Sequence, residues 1–151
     1  MTVTTTTHLN LPGTAREALE FYRDVFGGDV AITTYGELGM PADLPDAGRV
    51  VFGRLDSPSG FHVLAYDVPG ASGTDAGGST TRRDGLTFTD RPFFLSVSGE
   101  TLEEVAGYWD GLAAGAAIIE PLAASAWSAG FGMLTDRFGV TWVLDVVTPA
   151  A

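Results

Sequence analysis

The sequence carries the signature of one helix twice, 87 residues apart. Thr14 and Glu17 have the spacing of a capping box, in which two side chains satisfy backbone amides at a helix start, and Thr101 and Glu104 repeat it. In both copies apolar residues then recur at intervals of three and four, and glycine stands where the helix should stop. The predicted buried faces are Ala15, Ala18, Tyr22 and Val25 in the first copy and Leu102, Val105, Trp109 and Leu112 in the second. This repeat predicts a chain built from two similar modules.

Strand-like segments surround each predicted helix in the same order, with one before it and three after it. We therefore expect an α+β fold in which two βαβββ modules form a curved mixed sheet with the helices outside. The modules are predicted at 1–67 and 91–148, separated by a Gly-rich linker at 68–90. Because each module alone is small, the halves should pack together or exchange partners between chains. The concave face of the sheet, called the hollow, is where we expect a ligand.

Composition excludes several classes of function. The chain has 8 basic residues, all arginine, against 19 acidic ones, for a net charge of -11. Such a surface repels phosphate backbones and anionic lipids, so we expect neither nucleic acid nor a membrane as a partner. The absence of cysteine excludes thiolate catalysis and disulfides. Without a leader-like amino terminus or a long apolar run, the chain is predicted to be cytoplasmic.

Two stretches carry a family resemblance. The first is 13–28, which spans the first predicted helix, and the second is Trp127 together with 130–142 near the end of the chain. On these stretches the sequence resembles the PhnB-like branch of the vicinal oxygen chelate superfamily, the glyoxalase, bleomycin resistance protein and dioxygenase fold. The resemblance implies paired βαβββ modules and often a homodimer. In metal-using relatives it also implies a divalent ion, held by about four His, Glu or Gln ligands from the inner strands.

Position by position, this chain keeps few of those implied ligands. His8 matches the ligand of the first strand, whereas Phe52, Phe93 or Leu95, and Val143 stand at the other places. A catalytic site for a divalent ion needs about three protein ligands, and hydrocarbon side chains supply none. We therefore predict no complete metal site and no cofactor. The weak candidates, if a metal binds, are His8, Glu120 and Asp145, with His62 as a further histidine whose direction the strand pattern leaves open.

Three functions follow as alternatives, and catalysis is left open. The first is a metal-free module that binds a small, partly apolar molecule in the hollow, with aromatic rings as walls. Its predicted ligand-binding residues are His8, Asn10, Phe52, Phe93, Trp127 and Phe131. The second is a divalent-metal-dependent lyase, isomerase or dioxygenase of the glyoxalase type. The third is metal-free acid–base catalysis by His8 or His62.

Overall fold

The computed structural model describes residues 2–73 and 79–147, and the chain divides into two compact units, 1–74 and 75–151. Positions 1, 74–78 and 148 of the predicted modules and linker lie outside the described residues. In chain order the first unit contains β1 (Thr7–Leu11), α1 (Ala15–Phe26), β2 (Asp29–Thr34), a short 3-10 helix (Gly36–Leu38), β3 (Val50–Asp56) and β4 (His62–Asp67).

The second unit opens with a β-hairpin that the sequence did not predict. Its strands are β5 (Thr80–Arg83) and β6 (Leu86–Thr89), which pair antiparallel within the range predicted as a linker, 68–90. Part of the predicted Gly-rich linker therefore forms regular strands. The rest of the unit consists of β7 (Leu95–Gly99), α2 (Leu102–Ala113), β8 (Ala117–Ala123), β9 (Phe131–Thr135) and β10 (Thr141–Val146).

Both units build their main sheet in the same way. The first sheet has the order β1-β4-β3-β2 and the second the order β7-β10-β9-β8. In each, the strand that precedes the helix pairs parallel with the last strand, and the remaining pairs are antiparallel. The predicted α+β fold with two βαβββ modules is thus confirmed.

The core of the first unit lies between α1 and one face of its sheet. On α1 the buried residues are Ala15, Ala18, Leu19, Tyr22 and Phe26, close to the predicted stripe. Alternation along β1 and β4 turns Leu9, Val63 and Ala65 to the same side. A Cβ at Gly53 would lie 2.5 Å from Cδ1 of Leu19, so glycine lets the helix pack closely on β3.

The two helix starts differ, although the sequence predicted a capping box at both. At α2 the hydroxyl of Thr101 accepts a hydrogen bond from the backbone amide of Glu104 at 3.2 Å, as expected. At α1 the side chain of Thr14 makes no capping hydrogen bond. The prediction is wrong there: Thr14 has φ -109° and ψ 12° rather than the extended backbone of an N-cap. The first amide of the helix, that of Ala15, donates to Oδ1 of Asp67 in β4 at 2.9 Å.

The second unit has its core between α2 and the second sheet. Trp142 is fully buried in β10, as expected of a core residue, and its indole Nε1 donates to Oδ2 of Asp136 at 2.9 Å. On α2 only part of the predicted stripe is buried: Val105 and Leu112 are enclosed, whereas Leu102 is exposed. Leu102 is the first residue of the helix, where the helix surface meets solvent.

The two helices have 12 residues each, whereas a helix needs about 20 apolar residues to cross a bilayer. Within residues 2–73 and 79–147, no helix combines the length and the hydropathy of a membrane span.

Candidate functional site

The first sheet has a face that α1 does not cover, called here the open face. Strand register places His8 beside Leu64, Leu64 beside Arg54, and Arg54 beside Ala31, so these residues form one row across all four strands. A depression of about 220 Å³ lies over this row. It is lined mainly by carbon and is formed by His8, Ala31, Thr33, Phe52, Gly53, Arg54 and Leu64.

Two of the six predicted ligand-binding residues line this depression. They are Phe52, which is 63% exposed despite its large ring, and His8, which is also exposed. The His8 ring meets Tyr66 edge to face, with ring centroids 5.2 Å apart. Asn10 follows His8 by two residues on the same side of β1 and is exposed, but it does not line the depression.

Beside the depression, one carboxylate joins two basic side chains. The Nε of Arg54 donates to Oδ2 of Asp56, and Nδ1 of His62 lies 2.8 Å from Oδ1 of the same residue. Asp56 and His62 are also partners in the register of β3 and β4. His62, whose direction was left open, therefore lies on the open face, next to the depression rather than in its wall.

This arrangement shifts two pKa values in opposite directions. Hydrogen bonding from Arg54, and then from His62, holds the pKa of Asp56 below its ordinary value of 3.8. The same hydrogen bond with Asp56 raises the pKa of Arg54 above its ordinary value. Asp56 is thus ionised at neutral pH and fixes one edge of the Arg54 guanidinium at the depression.

In the second unit the corresponding face is occupied by the β5–β6 hairpin. The Arg82 guanidinium lies 4.9 Å from the ring centroid of Phe131, and its Nη1 donates to the hydroxyl of Thr87 at 2.7 Å. That hydroxyl in turn donates to the Met133 sulfur at 3.8 Å. Since a Cβ at Gly132 would meet Trp109 of α2, Phe131 and Met133 lie on the side of β9 away from the helix. The hairpin therefore covers this side of the second sheet.

The three other predicted ligand-binding residues belong to the second unit. Trp127 is 64% exposed and meets Phe131 edge to face at 5.0 Å between centroids. Phe93 precedes β7 and is 58% exposed. The six predicted residues therefore form two groups: His8, Asn10 and Phe52 on the first sheet, and Phe93, Trp127 and Phe131 in the second unit.

Comparison with known proteins identifies the family of the chain. The family model of the Glyoxalase/Bleomycin resistance protein/Dioxygenase superfamily matches residues 8–144. The chain belongs to this superfamily. The match spans both βαβββ units, in agreement with the predicted resemblance.

Individual proteins match over nearly the whole chain. Protein YjdN of Escherichia coli is 26% identical over 144 residues, covering 93% of this chain and 92% of that protein. The crystal structure of protein PA1353 from Pseudomonas aeruginosa matches with a TM-score of 0.77 and 26% identity, covering 97% and 99% of the two chains. A Bacillus cereus structure, described as a putative 3-demethylubiquinone-9 3-methyltransferase, PhnB protein, matches with a TM-score of 0.69 and 26% identity, covering 96% and 100%. The resemblance to the PhnB-like branch is confirmed.

The described residues bring together no set of side chains that fits the divalent ion implied by the resemblance. Within the described residues there is no group of three or more His, Asp or Glu side chains that could hold a metal ion. His8 shares its depression with the cationic Arg54, which opposes a second cation there. Glu120 lies 3.9 Å from Nε of Arg82, and Asp145 accepts a hydrogen bond from Ser98 at 2.6 Å. Each of the three weak metal candidates thus has its own neighbour: Arg54 for His8, Arg82 for Glu120 and Ser98 for Asp145.

Sequence reasoning missed most of the wall of the depression, namely Ala31, Thr33, Gly53, Arg54 and Leu64. The signal for one of them was present. Phe52 was expected to face the hollow, and strand alternation puts Arg54, two residues later, on the same side. The small and aliphatic residues carry no such chemical signal, and only the register of the strands brings them beside Arg54.

Proposed function

We propose that this PhnB-like member of the superfamily binds a small, partly apolar molecule in the depression on the open face of its first sheet, without a metal ion. The observation that carries the proposal is the depression itself, with largely apolar walls, His8 at one side and the exposed Phe52 ring at another. Ligand sites are concave and mainly apolar, with a few polar groups that orient the ligand. At about 220 Å³ this depression is smaller than the usual site for a drug-sized molecule, which favours a compact ligand.

An exposed phenylalanine beside a depression supports this role, because burying its ring against a ligand would remove apolar surface from water. The rings of Phe93, Trp127 and Phe131 lie outside the depression, in the second unit. The proposal therefore differs from a site built on those three rings, and the two can be distinguished by substitution.

Methyl-detected NMR with a panel of one- and two-ring aromatic molecules tests the proposal. Ligand binding should shift the methyl signals of Ala31 and Leu64 while leaving those of Ala65, which packs on the α1 side, unchanged. Phe52→Ala should weaken binding, and Phe93→Ala and Trp127→Phe should not. If the panel moves no methyl signal of the open face, or if only the changes in the second unit weaken binding, the proposal is wrong.

We further propose that the protein acts as a homodimer in the cytoplasm and without nucleic acid or membrane partners. The motivation is the small size of each βαβββ unit and the net charge of -11, which disfavours polyanionic surfaces.

A further inference from the structure

The charges around the depression are unusual for this chain. The ionisable side chains in its wall are Arg54 and His8, and none is acidic, although acidic residues outnumber arginines 19 to 8 in the whole sequence. Asp56 already pairs with the Nε of Arg54, but a guanidinium carries five N–H donors and can bind a second anion through Nη1 and Nη2. The local chemistry therefore favours a negatively charged group on the ligand.

The hydrogen bonds of Arg54 leave the appropriate edge of its guanidinium available. Asp56 binds the Nε of Arg54, and the second oxygen of Asp56 is held by His62. The hydrogen bond of Arg54 to Asp56 runs through Nε, which leaves Nη1 and Nη2 for a ligand. Two parallel N–H groups of this kind match the two oxygens of a carboxylate, and a fixed guanidinium plane reduces the entropy lost on binding.

We infer that the ligand is a small aromatic or aliphatic carboxylate, whose carboxyl group pairs with Arg54 and whose apolar part lies against Phe52 and Leu64. This inference rests on the proposed function and adds the chemical class of the ligand. Arg54 acts here as a binding residue, and Asp56 as the residue that positions it.

Benzoate and benzamide are the probes, because they have the same ring and nearly the same shape but differ in charge. Their affinities are measured from the methyl shifts of Ala31 and Leu64. Benzoate should bind at least about tenfold more tightly than benzamide, the difference expected for one charge-assisted pair. In Arg54→Gln this preference should disappear, because benzoate loses the charge-assisted pair. Arg54→Lys should keep part of the preference, since it retains the charge but not the paired N–H groups.

Arg23→Gln is the matched control, because it removes the same charge from α1, whose side chains do not line the depression. It should leave the preference for benzoate intact. The methyl signals of Val63 and Ala65 report whether each variant remains folded. Equal binding of the two probes in the unchanged protein, or a preference that survives Arg54→Gln, would overturn the inference but leave the proposed function standing. If neither these probes nor the wider aromatic panel shifts the methyl signals of the open face, both are wrong.

Discussion

The backbone amide of Ala15, the first residue of α1, donates a hydrogen bond to Oδ1 of Asp67, 52 residues later in the chain, at 2.9 Å. The other carboxylate oxygen of Asp67 accepts from the amide of Val50 at 2.9 Å. Asp67 is almost fully buried at the end of β4. The Asp67 side chain thus fixes the start of α1 and the start of β3 to the end of β4.

Asp67→Ala should lower the free energy of unfolding by about 3 kcal/mol, because two buried backbone amides lose their acceptor. Asp67→Asn keeps one acceptor oxygen and should cost roughly half as much. Urea unfolding followed by circular dichroism measures both. Asp24→Ala, which removes an exposed carboxylate from α1, should stay within about 0.5 kcal/mol of the unchanged protein. A loss no larger for Asp67→Ala than for Asp24→Ala would contradict the structural role.

Trp142→Phe tests the core of the second unit. The smaller ring leaves a cavity and removes the indole hydrogen bond to Asp136, so we expect a loss of about 2 to 3 kcal/mol. Trp127→Phe, at an exposed position, should change the free energy of unfolding by less than about 0.5 kcal/mol. Circular dichroism is the suitable signal for both, since each variant alters tryptophan fluorescence directly. If Trp142→Phe and Trp127→Phe lowered the free energy of unfolding equally, neither the burial of Trp142 nor its hydrogen bond to Asp136 would explain the loss.

Arg82→Met should loosen the β5–β6 hairpin. It removes the hydrogen bond to Thr87 and the cation over Phe131, which together should be worth about 1 kcal/mol or more. Amide hydrogen exchange within residues 80–89 should therefore become about fivefold faster. Arg83→Met is the matched control: Arg83 also lies over a ring, that of Phe88, but both residues are exposed, so the effect should be smaller. Similar exchange in the two variants would argue against Arg82 as the contact that fixes the hairpin.

The pKa of Asp56 should depend mainly on Arg54. Arg54→Gln should raise this pKa toward its ordinary value, and His62→Gln should raise it less, because the Arg54 hydrogen bond is the larger cause of the lowering. Since the pKa is lower in the folded protein, the stabilisation is present above the ordinary carboxyl range and is lost as the pH falls through the folded pKa. Carbon NMR of the carboxyl group between about pH 2 and 6 follows the titration. If His62→Gln raised the pKa of Asp56 more than Arg54→Gln does, His62 rather than Arg54 would be the main cause of the lowered pKa.

The proposed homodimer predicts a mass in solution of about twice the 15.8 kDa of one chain. Size-exclusion chromatography with light scattering, carried out over a range of concentrations, measures it. A mass that remains that of one chain at every concentration would refute the dimer.

The sequence predicted those parts of the fold that depend on local spacing. In α1 the apolar residues recur at intervals of three and four, and on β1 alternation turns Leu9 inward and His8 outward. Both patterns depend only on residues that are close together in the sequence. The helix pattern recurs 87 residues later in the chain, and this recurrence predicted the second βαβββ unit. The hairpin was missed although a local signal was present: Asp84-Gly85 forms a two-residue turn with φ of 53° and 77°, and β6 alternates Leu and Phe with Thr. The many glycines of 68–90 were interpreted as a linker instead. The hairpin's contacts with Phe131 and Met133 come from distant positions in the sequence.

By itself, then, the sequence determined the order of strands and helices within the two βαβββ units, the inward and outward sides of β1, and the resemblance to the family. The tertiary structure decided that Asp67 rather than Thr14 caps α1, that His62 lies on the open face, and that Arg54 joins His8 at one depression. The reason is physical: side-chain direction follows from backbone geometry within a few residues. The partner that each side chain meets depends instead on strand register, which pairs residues many positions apart.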